Sequence, residues 1–393
     1  MTGASAVIVG GGVMGASVAY HLARRGWRDL LVLEQAERPG EGSTGRATGG
    51  FRAQYATAIN VRLSLLAREQ LLGFQQETGV DPGYAPHGYL WLASGAAEVA
   101  ALQDGQRIQH AAGLHEAAML GPDEVARLNP AIELAGIDGA AWCPTDGFIH
   151  PLQILGGYLA AARRLGVRVE CGTAVTGVRR HPGGRLQAVE TSRGVVTADL
   201  VVNAAGAWAA LLGALAGVDV PVRPLRRQVA VTMPCTLLPA DMPMTIFAGD
   251  GFHLRVRDGR VLLLRPTAAP AAADTAAVLE PVRGVDPAWL AEVVATAARR
   301  VPVLAGVPID TPACWSGWYE MSPDKHAILG AAPGCDNFFL INGSSGHGVM
   351  HSPALGLLLA EIISDGRAST LDTAALRPSR FAEGEPNPVS GLL

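Results

Sequence analysis

The sequence predicts an α/β fold that is built on a parallel sheet and is accompanied by a second, β-rich domain. A short apolar run at 6–9 precedes a segment with helical spacing at 13–25, and a second apolar run follows at 30–33. This order is typical of a βαβ unit, whose two strands are parallel. The chain has 393 residues, of which 49% are hydrophobic and 17% are charged. It is therefore long enough for two or three domains and able to bury a large core.

The remaining elements follow from periodicity and from turn residues. Helical spacing predicts helices over 60–77, 152–165 and 352–365. Short apolar or alternating runs predict strands over 89–93, 200–203, 228–233, 252–257, 261–264 and 338–341. Between 167 and 202, Pro and Gly separate the runs in the manner of a small β-meander.

The first domain is predicted to be discontinuous, because mixed strands and turns interrupt the α/β pattern twice. We assign 1–85, 145–222 and 314–393 to the first domain and 86–144 and 223–313 to the second. Since small-molecule sites lie preferentially where domains meet, we expect the site at their interface.

Charge and cysteine content exclude several classes of protein. Lys and Arg total 31 against 35 Asp and Glu, whereas nucleic-acid binding needs clustered positive charge. Two uncharged stretches, 1–23 and 200–218, have the length of membrane spans, but a turn interrupts each of them, so no membrane span is expected. Five cysteines without a CxxC pair fit neither a disulfide framework nor a zinc site. A reducing cytoplasm is the expected location.

A GxGxxG motif, Gly10, Gly12 and Gly15, lies between the first strand and the first helix. Such glycines allow a tight turn, a close approach of the backbone to a pyrophosphate and close packing of the helix. The helix N-terminus adds amide donors and the positive end of its dipole. Glu34 ends the second strand, where an acid accepts a hydrogen bond from a ribose hydroxyl. The motif therefore predicts a dinucleotide site.

The segments after this unit favour FAD over NAD. Residues 42–46 form a Gly-, Ser- and Arg-containing loop where a simple nicotinamide enzyme continues with another βαβ repeat. Gly346, His347 and Gly348 form a second glycine-rich turn ahead of a helix, which supplies a second set of dipoles for an electron-rich ring. The first domain is thus predicted to be a Rossmann-like FAD-binding domain.

Five segments, in order along nearly the whole chain, carry a family resemblance. They are the glycine motif with Glu34 and the segments 43–52, 203–208, 315–324 and 346–348. Together they resemble the FAD-dependent amine oxidoreductases of the D-amino acid oxidase superfamily, on the branch of the sarcosine oxidase β-subunit and dimethylglycine dehydrogenase. The resemblance implies hydride transfer from the carbon of a bound amine to flavin N5, which gives an imine. It implies substrates such as sarcosine, dimethylglycine, glycine or proline-like compounds.

The resemblance also implies which residues contact the cofactor. They are Gly10, Gly12, Val13, Met14, Gly15, Glu34, Ser43, Thr44, Arg46, Gly49, Gly50, Val175, Gly206, Gly317, Gly346, Gly348, Val349 and Met350. Sarcosine oxidase attaches its flavin through a cysteine that aligns with Gly317, and dimethylglycine dehydrogenase through a histidine that aligns with Arg46. Since neither anchor is present, FAD is predicted to be non-covalent.

Arg52, His347 and Tyr319 are the candidate catalytic residues. By resemblance, Arg52 grips the substrate carboxylate, which suits a guanidinium fork; an ion pair with the flavin or at the surface is the alternative. His347 is either a catalytic group beside the flavin ring or a structural, hydrogen-bonded histidine. Tyr319 and Trp318 either line the cavity or pack as core aromatics.

Two further departures from the relatives concern the electron acceptor and the substrate. Sarcosine oxidase has a lysine near the flavin that speeds the reaction with oxygen, but the matching run at 261–264 has none, and Lys325 is the only lysine of the chain. The predicted acceptor is therefore either oxygen or another redox partner. Met350 stands where a second cationic contact to the carboxylate is expected, which favours a larger or less anionic substrate.

Alternative functions remain open on the sequence alone. The first is a flavin dehydrogenase subunit that passes electrons to a partner protein, the second a nicotinamide-dependent imino acid dehydrogenase, and the third a non-catalytic flavin-binding module. A colourless protein favours the second, and a bound flavin that no amine reduces favours the third.

Overall fold

The computed structural model describes residues 2–267, 275–280, 282 and 284–389. The strands are β1 (Thr2–Val9), β2 (Leu30–Leu33), β3 (Gly50–Phe51), β4 (Tyr89–Ala93), β5 (Ala118–Leu120), β6 (Gly139–Cys143), β7 (Gly147–Phe148), β8 (Arg168–Glu170), β9 (Val175–Arg180), β10 (Leu186–Thr191), β11 (Gly194–Asn203), β12 (Arg223–Val231), β13 (Met244–Phe247), β14 (His253–Arg257), β15 (Arg260–Leu264), β16 (Trp315–Met321), β17 (Ile328–Ala332) and β18 (Cys335–Asn342). The α-helices are α1 (Val13–Arg24), α2 (Ser43–Arg46), α3 (Ala58–Thr78), α4 (Gly95–Ala111), α5 (Pro122–Leu128), α6 (Pro151–Arg164), α7 (Ala209–Leu215), α8 (Pro287–Arg300) and α9 (Gly348–Asp365).

The first sheet confirms the predicted α/β fold. Within the described residues its order is β17-β18-β11-β1-β2-β8, with β10 and β9 attached to β11. β1 is parallel to both β2 and β11, and β11 is parallel to β18. β9, β10 and β11 pair antiparallel, as the predicted meander. The two central strands β1 and β2 are apolar and buried, because helices α1, α3, α6 and α9 contribute to the core on one face.

A second sheet has the order β16-β12-β15-β14-β13-β4-β6-β5 among the described residues. Its neighbouring strands pair antiparallel, except that β13 and β4 are parallel. β16 pairs over its whole length with residues 223–229 of β12, with Arg227 opposite Gly317. β16 thus lies in the second sheet although it falls within 314–393, the range predicted for the first domain. The domain boundaries stay a prediction.

Helix α9 begins at Gly348, four residues before the predicted start at 352. The prediction was wrong because a glycine-rich turn and Pro353 indicate a late helix start, whereas the helix accommodates Pro353 in its interior. The earlier start brings the N-terminus of α9 directly after His347. The predicted loop at 42–46 contains the short helix α2, and strand β3 follows it.

The uncharged stretches at 1–23 and 200–218 fold as strand-turn-helix units, β1 with α1 and β11 with α7. In the described part of the chain, no helix combines the length and the apolar character that crossing a membrane requires.

A buried ion pair fixes the turn between β16 and β17. Arg380 is fully buried and donates to Asp324 from Nε at 2.8 Å and from Nη2 at 3.0 Å. Asn387 also donates to this carboxylate, from its backbone N at 3.0 Å and from Nδ2 at 2.9 Å. Burial raises the pKa of Asp324, but the hydrogen bonds from Arg380 and Asn387 outweigh burial and hold that pKa well below its usual range.

We expect Asp324→Asn to destabilise the protein by about 3–5 kcal/mol, because the substitution leaves the Arg380 charge buried and without its partner. Asp336→Asn is the control, since the Asp336–Arg185 pair is exposed and worth at most about 1 kcal/mol. Because its pKa is lowered in the folded protein, Asp324 contributes its full stabilisation above the unfolded carboxyl pKa of about 4 and loses it progressively as the pH falls from there through the folded pKa. The difference in Tm from wild type should therefore shrink as the pH falls below that value. Equal Tm losses for both variants would contradict the assignment.

Candidate active site

One large cavity, of about 1030 Å³, connects the two sheets. At one end it is lined by the residues that follow the carboxyl ends of the parallel strands, including Gly10, Glu34 and Ala204. At the other end its wall is the face of the second sheet, including Trp91, Met244 and His253. A crevice beyond the carboxyl ends of parallel strands is the usual position of a ligand in such folds.

The predicted site residues converge on this cavity. Those that line it are Gly10, Gly12, Val13, Met14, Glu34, Ser43, Thr44, Arg46, Gly49, Gly50, Arg52, Val175, Gly206, Gly317, Tyr319, Gly346, His347, Gly348, Val349 and Met350. Gly15 does not line the cavity; a Cβ there would lie 2.0 Å from the Gly10 carbonyl oxygen. Gly15 therefore allows close packing of helix and strand, as the motif predicts.

The end of the cavity near β1 has the features of a dinucleotide site. Gly10 has a φ of 115°, and a Cβ on it would lie 2.3 Å from the Ala204 oxygen, so the turn requires glycine. α1 begins after Gly12 with neither a side-chain cap nor an acidic residue in its first turn. Thr44 Oγ1 accepts from the Val13 N–H at 3.2 Å, but no acidic residue of α1 neutralises the positive end of the helix dipole, which suits a pyrophosphate.

Glu34 is held at the end of β2 by backbone donors. Its Oε2 accepts from the N–H of Gly11 at 2.8 Å, and its Oε1 from the N–H of Ala36 at 2.9 Å. Burial raises the pKa of Glu34, and these backbone hydrogen bonds oppose the rise. The carboxylate is fixed where the sequence predicts a ribose contact.

A second helix N-terminus meets the middle of the cavity. α9 follows His347 and has no side-chain cap and no acidic residue in its first turn. Gly346 precedes it with a φ of 92°, and a Cβ there would lie 2.4 Å from the Tyr319 ring. The glycine and the ring are thus packed together, and both line the cavity. This uncapped N-terminus suits an electron-rich ring edge.

Glu320 holds the turn that leads into α9. Its Oε1 accepts from the Ser344 N–H at 3.2 Å, and its carbonyl oxygen accepts from the Ser345 N–H at 2.9 Å. Burial raises the pKa of Glu320 to about 7, and the hydrogen bonds from Ser344 oppose this. Glu320 was not predicted as a site residue. Its hydrogen-bond partner Ser344 lies 24 residues away in the sequence, and a local pattern along β16 cannot indicate a contact over that separation.

Arg52 lies buried at the wall of the cavity. Its guanidinium stacks over the Tyr55 ring at 4.3 Å and over the Trp91 ring at 5.0 Å. Its Nη1 donates to the Gln54 oxygen at 3.4 Å. Planar stacking of this kind fixes the plane of the guanidinium, whose fork suits a planar anion.

His347 is bound to Arg52. Nε2 of His347 lies 3.3 Å from Arg52 Nη2, and because arginine has donors only, Nε2 is the acceptor and the ring proton is on Nδ1. Burial lowers the pKa of His347 well below its usual value, and the charge of Arg52 lowers it further. The ring is neutral at pH 7, and its basic nitrogen is already engaged.

Asp146 orders the backbone next to Arg52. Its Oδ1 accepts from the Ala53 N–H at 2.7 Å, and its Oδ2 from Gln54 Nε2 at 3.2 Å. Burial raises the pKa of Asp146 to about 6, and the hydrogen bonds from Ala53 and Gln54 oppose the rise. The short β3–β7 pairing brings this distant segment to Arg52. No local sequence pattern predicts this contact.

Several cations and rings of the cavity wall were not predicted as site residues. Arg227 and Lys325 line the cavity, as do Tyr89, Trp91 and His253. Only Lys325 had a signal in the sequence, since it is the single lysine of the chain. β15, which matches the run at 261–264, carries no lysine. The ammonium group that lines the cavity belongs to Lys325, in the turn after β16.

The whole chain can be compared with known families. Residues 5–362 match the family described as "FAD dependent oxidoreductase". The chain belongs to this family. As a FAD-dependent oxidoreductase it is an enzyme, and FAD rather than a nicotinamide is its cofactor. The uncapped helix N-termini, the Gly10 turn and Glu34 fit that cofactor.

Relatives of this FAD-dependent oxidoreductase include enzymes that act on amino acids and amines. FAD-dependent oxidoreductase domain-containing protein 1 of Xenopus laevis is 30% identical, over 98% of this chain and 83% of its own length. Mitochondrial dimethylglycine dehydrogenase of Rattus norvegicus is 30% identical over 97% of this chain, but the match spans only 45% of the longer relative. The crystal structure of L-proline dehydrogenase from P. horikoshii superposes with a TM-score of 0.89 at 26% identity, covering 98% of this chain and 100% of that chain.

We expect acid precipitation to release all of the FAD from this oxidoreductase. Gly317 and Arg46, the two aligned anchor positions, face each other without a nucleophilic side chain. Cys314 is buried, and its Sγ accepts from the Val231 N–H at 3.3 Å, so Cys314→Ser should behave as wild type. The flavin absorbance of the supernatant and of the redissolved precipitate measures the release. Flavin that stays on the precipitated polypeptide would contradict the prediction.

Proposed function

We propose that this enzyme oxidises the C–N bond of a small amino acid or N-methylated amine of the sarcosine, dimethylglycine, glycine or proline-like class to an imine. The observation that carries the proposal is the buried guanidinium of Arg52, stacked between Tyr55 and Trp91 at the cavity wall. The relatives named dimethylglycine dehydrogenase and L-proline dehydrogenase support the class of substrate.

The groups proposed to hold FAD are the Gly10–Gly12 turn with Glu34 and the N-termini of α1 and α9. When bound, FAD supplies the two-electron acceptor, by hydride transfer to N5, that oxidation of an amine requires. The protein's part is to bind and orient the substrate, so that its reacting carbon is held in one position.

Arg52 is proposed to bind the substrate carboxylate through its fork. The aromatic wall of Tyr89 and Trp91 excludes water around this contact and thereby strengthens it. His347 is proposed to be a positioning residue, because its Nε2 accepts from Arg52 and so fixes the direction of the guanidinium. Tyr319 packs on Gly346 and forms the wall beside the α9 turn.

The electron acceptor is proposed to be either oxygen or another redox partner. A cation near the flavin stabilises developing superoxide. The absence of a lysine from β15 therefore favours an acceptor other than oxygen, whereas Lys325, which lines the cavity from the turn after β16, favours oxygen. Five free cysteines support the proposed cytoplasmic location.

Steady-state assays test both parts of the proposal. The holoenzyme is supplied with sarcosine, dimethylglycine, glycine and proline, and oxygen consumption is compared with reduction of an artificial dye. Turnover of at least one substrate supports the class, and faster dye reduction than oxygen consumption identifies a dehydrogenase. Absence of turnover with every compound and both acceptors would contradict the proposal.

A further inference from the structure

Three cations from separate segments line the cavity. Arg52 follows β3, Arg227 lies in β12, and Lys325 lies in the turn after β16, and all three line the cavity. Burial lowers the pKa of Lys325, and the charges of Arg227 and Arg52 lower it further. Three positive charges thus share the wall of one cavity.

Among the described residues, Arg227 and Lys325 have no counter-ion. In the described part of the chain neither forms an ion pair, and no carboxylate affects the pKa of either. Arg227 lies over the Tyr319 ring at 5.5 Å, and the nearby carboxylate of Asp324 is bound to Arg380. Partly buried charges without partners are costly, so this arrangement indicates an anionic ligand.

The backbone conformation of Lys325 is a second indication of a ligand site. Lys325 has a φ of 59°, a left-handed conformation that disfavours a residue with a Cβ. The Asp324–Arg380 pair holds this turn in place. Unfavourable backbone conformations that the surrounding structure enforces cluster at ligand sites.

The pyrophosphate of FAD is an unsuitable partner for these two cations. The dinucleotide features lie at Gly10, Gly12 and Glu34. The positive charges of Arg227 and Arg52, in contrast, influence the pKa of His253 in the second sheet. Burial lowers the pKa of His253 to about 4, and these two arginines lower it further. Arg227 lies in β12 and Lys325 follows β16, and both strands belong to the second sheet, so the two cations line the cavity from the second sheet and not from the dinucleotide features.

We propose that Arg227 and Lys325 form a second anion-binding subsite, and that the preferred substrate is an amine with two acidic groups. One carboxylate binds Arg52, and the second binds Arg227 and Lys325. This inference rests on the proposed function for the identity of the reaction. It replaces the expectation of a less anionic substrate, which the sequence suggested from Met350, because the cations come from other segments.

Racemic N-methylglutamate and N-methylglutamine differ in charge but hardly in shape, as do the unreactive ligands glutarate and glutaramate. The holoenzyme should show a kcat/KM at least about tenfold higher for N-methylglutamate than for N-methylglutamine, because a charge-assisted contact is lost with the amide. Glutarate should bind with a Kd at least about tenfold lower than glutaramate, measured by calorimetry and by perturbation of the flavin spectrum. A ratio near one in both comparisons would overturn the subsite.

Variants assign the preference to the two residues. Arg227→Gln and Lys325→Met should each reduce both ratios, and Arg227→Lys should restore part of the loss. Arg257→Gln is the matched control, because Arg257 is also a partly buried arginine over an aromatic ring of the second sheet but does not line the cavity. Ratios that fall equally in the control would overturn the assignment.

The two proposals fail in different ways. If no amine reduces the flavin while glutarate still binds better than glutaramate, the proposed function is wrong and the subsite stands. If amines reduce the flavin but neither ratio exceeds one, the function stands and the subsite is wrong. If Arg227→Gln lowers the reduction potential of the flavin and leaves both ratios unchanged, the cations serve the reduced flavin, and the subsite is again wrong.

Discussion

Replacing Gly12 by aspartate is expected to give a folded protein that no longer retains FAD. Gly12 has an extended backbone, with φ of −75°, and a Cβ there would lie 3.3 Å from Thr44 Oγ1, so a side chain requires only a small adjustment. A new carboxylate at the N-terminus of α1 would stand next to the pyrophosphate. Like charges in contact cost several kcal/mol, so the Kd for FAD should rise about a thousandfold.

Gly156→Asp is the matched control. Gly156 lies on the exposed side of α6, and a Cβ there would meet nothing within 4 Å. Circular dichroism establishes the fold of both variants, and titration of the apoprotein with FAD gives the Kd. A folded Gly12→Asp protein that binds FAD as tightly as wild type would show that the pyrophosphate binds elsewhere.

Replacing Arg52 by methionine is expected to abolish the preference for substrates with a carboxylate. Loss of a desolvated, bidentate charge contact costs about 2–5 kcal/mol, so kcat/KM for sarcosine should fall at least about thirtyfold. The wild-type preference for sarcosine over its amide should fall to near one. Arg52→Lys keeps the charge but not the fork, and its preference should lie between the two.

Flavin absorbance and FAD content serve as the controls for the Arg52 variants, because Arg52 lies away from the dinucleotide features. An Arg52→Met enzyme that still discriminates between sarcosine and its amide as wild type does would assign Arg52 to the flavin or to the fold. In that case Arg227 and Lys325 become the remaining cations for the carboxylate.

The sequence allowed prediction of those parts of the site whose residues lie close together along the chain. The Gly10 turn, Glu34 at the end of β2 and the Gly346–Gly348 turn each sit within one strand-turn-helix unit, so their local pattern is enough to place them. Gly15, which the motif assigns to helix packing, contacts Gly10 in the structure.

Local sequence patterns could not predict the contacts between segments that are distant in the sequence. Asp146 reaches Ala53 only through the pairing of β3 with β7. Arg227 faces the cavity only because of its register opposite Gly317 in β16. A charged residue in an alternating strand usually faces solvent, so Arg227 carried no signal of a buried role.

Anaerobic mixing of the FAD-loaded enzyme with a panel of amino acids and N-methylated amines tests most directly whether the cavity presents a bound substrate to the flavin. We predict that the visible flavin band bleaches with at least one compound of the panel, at a rate that saturates with its concentration. A band that stays unchanged with every compound, in protein shown to contain FAD, would contradict the account.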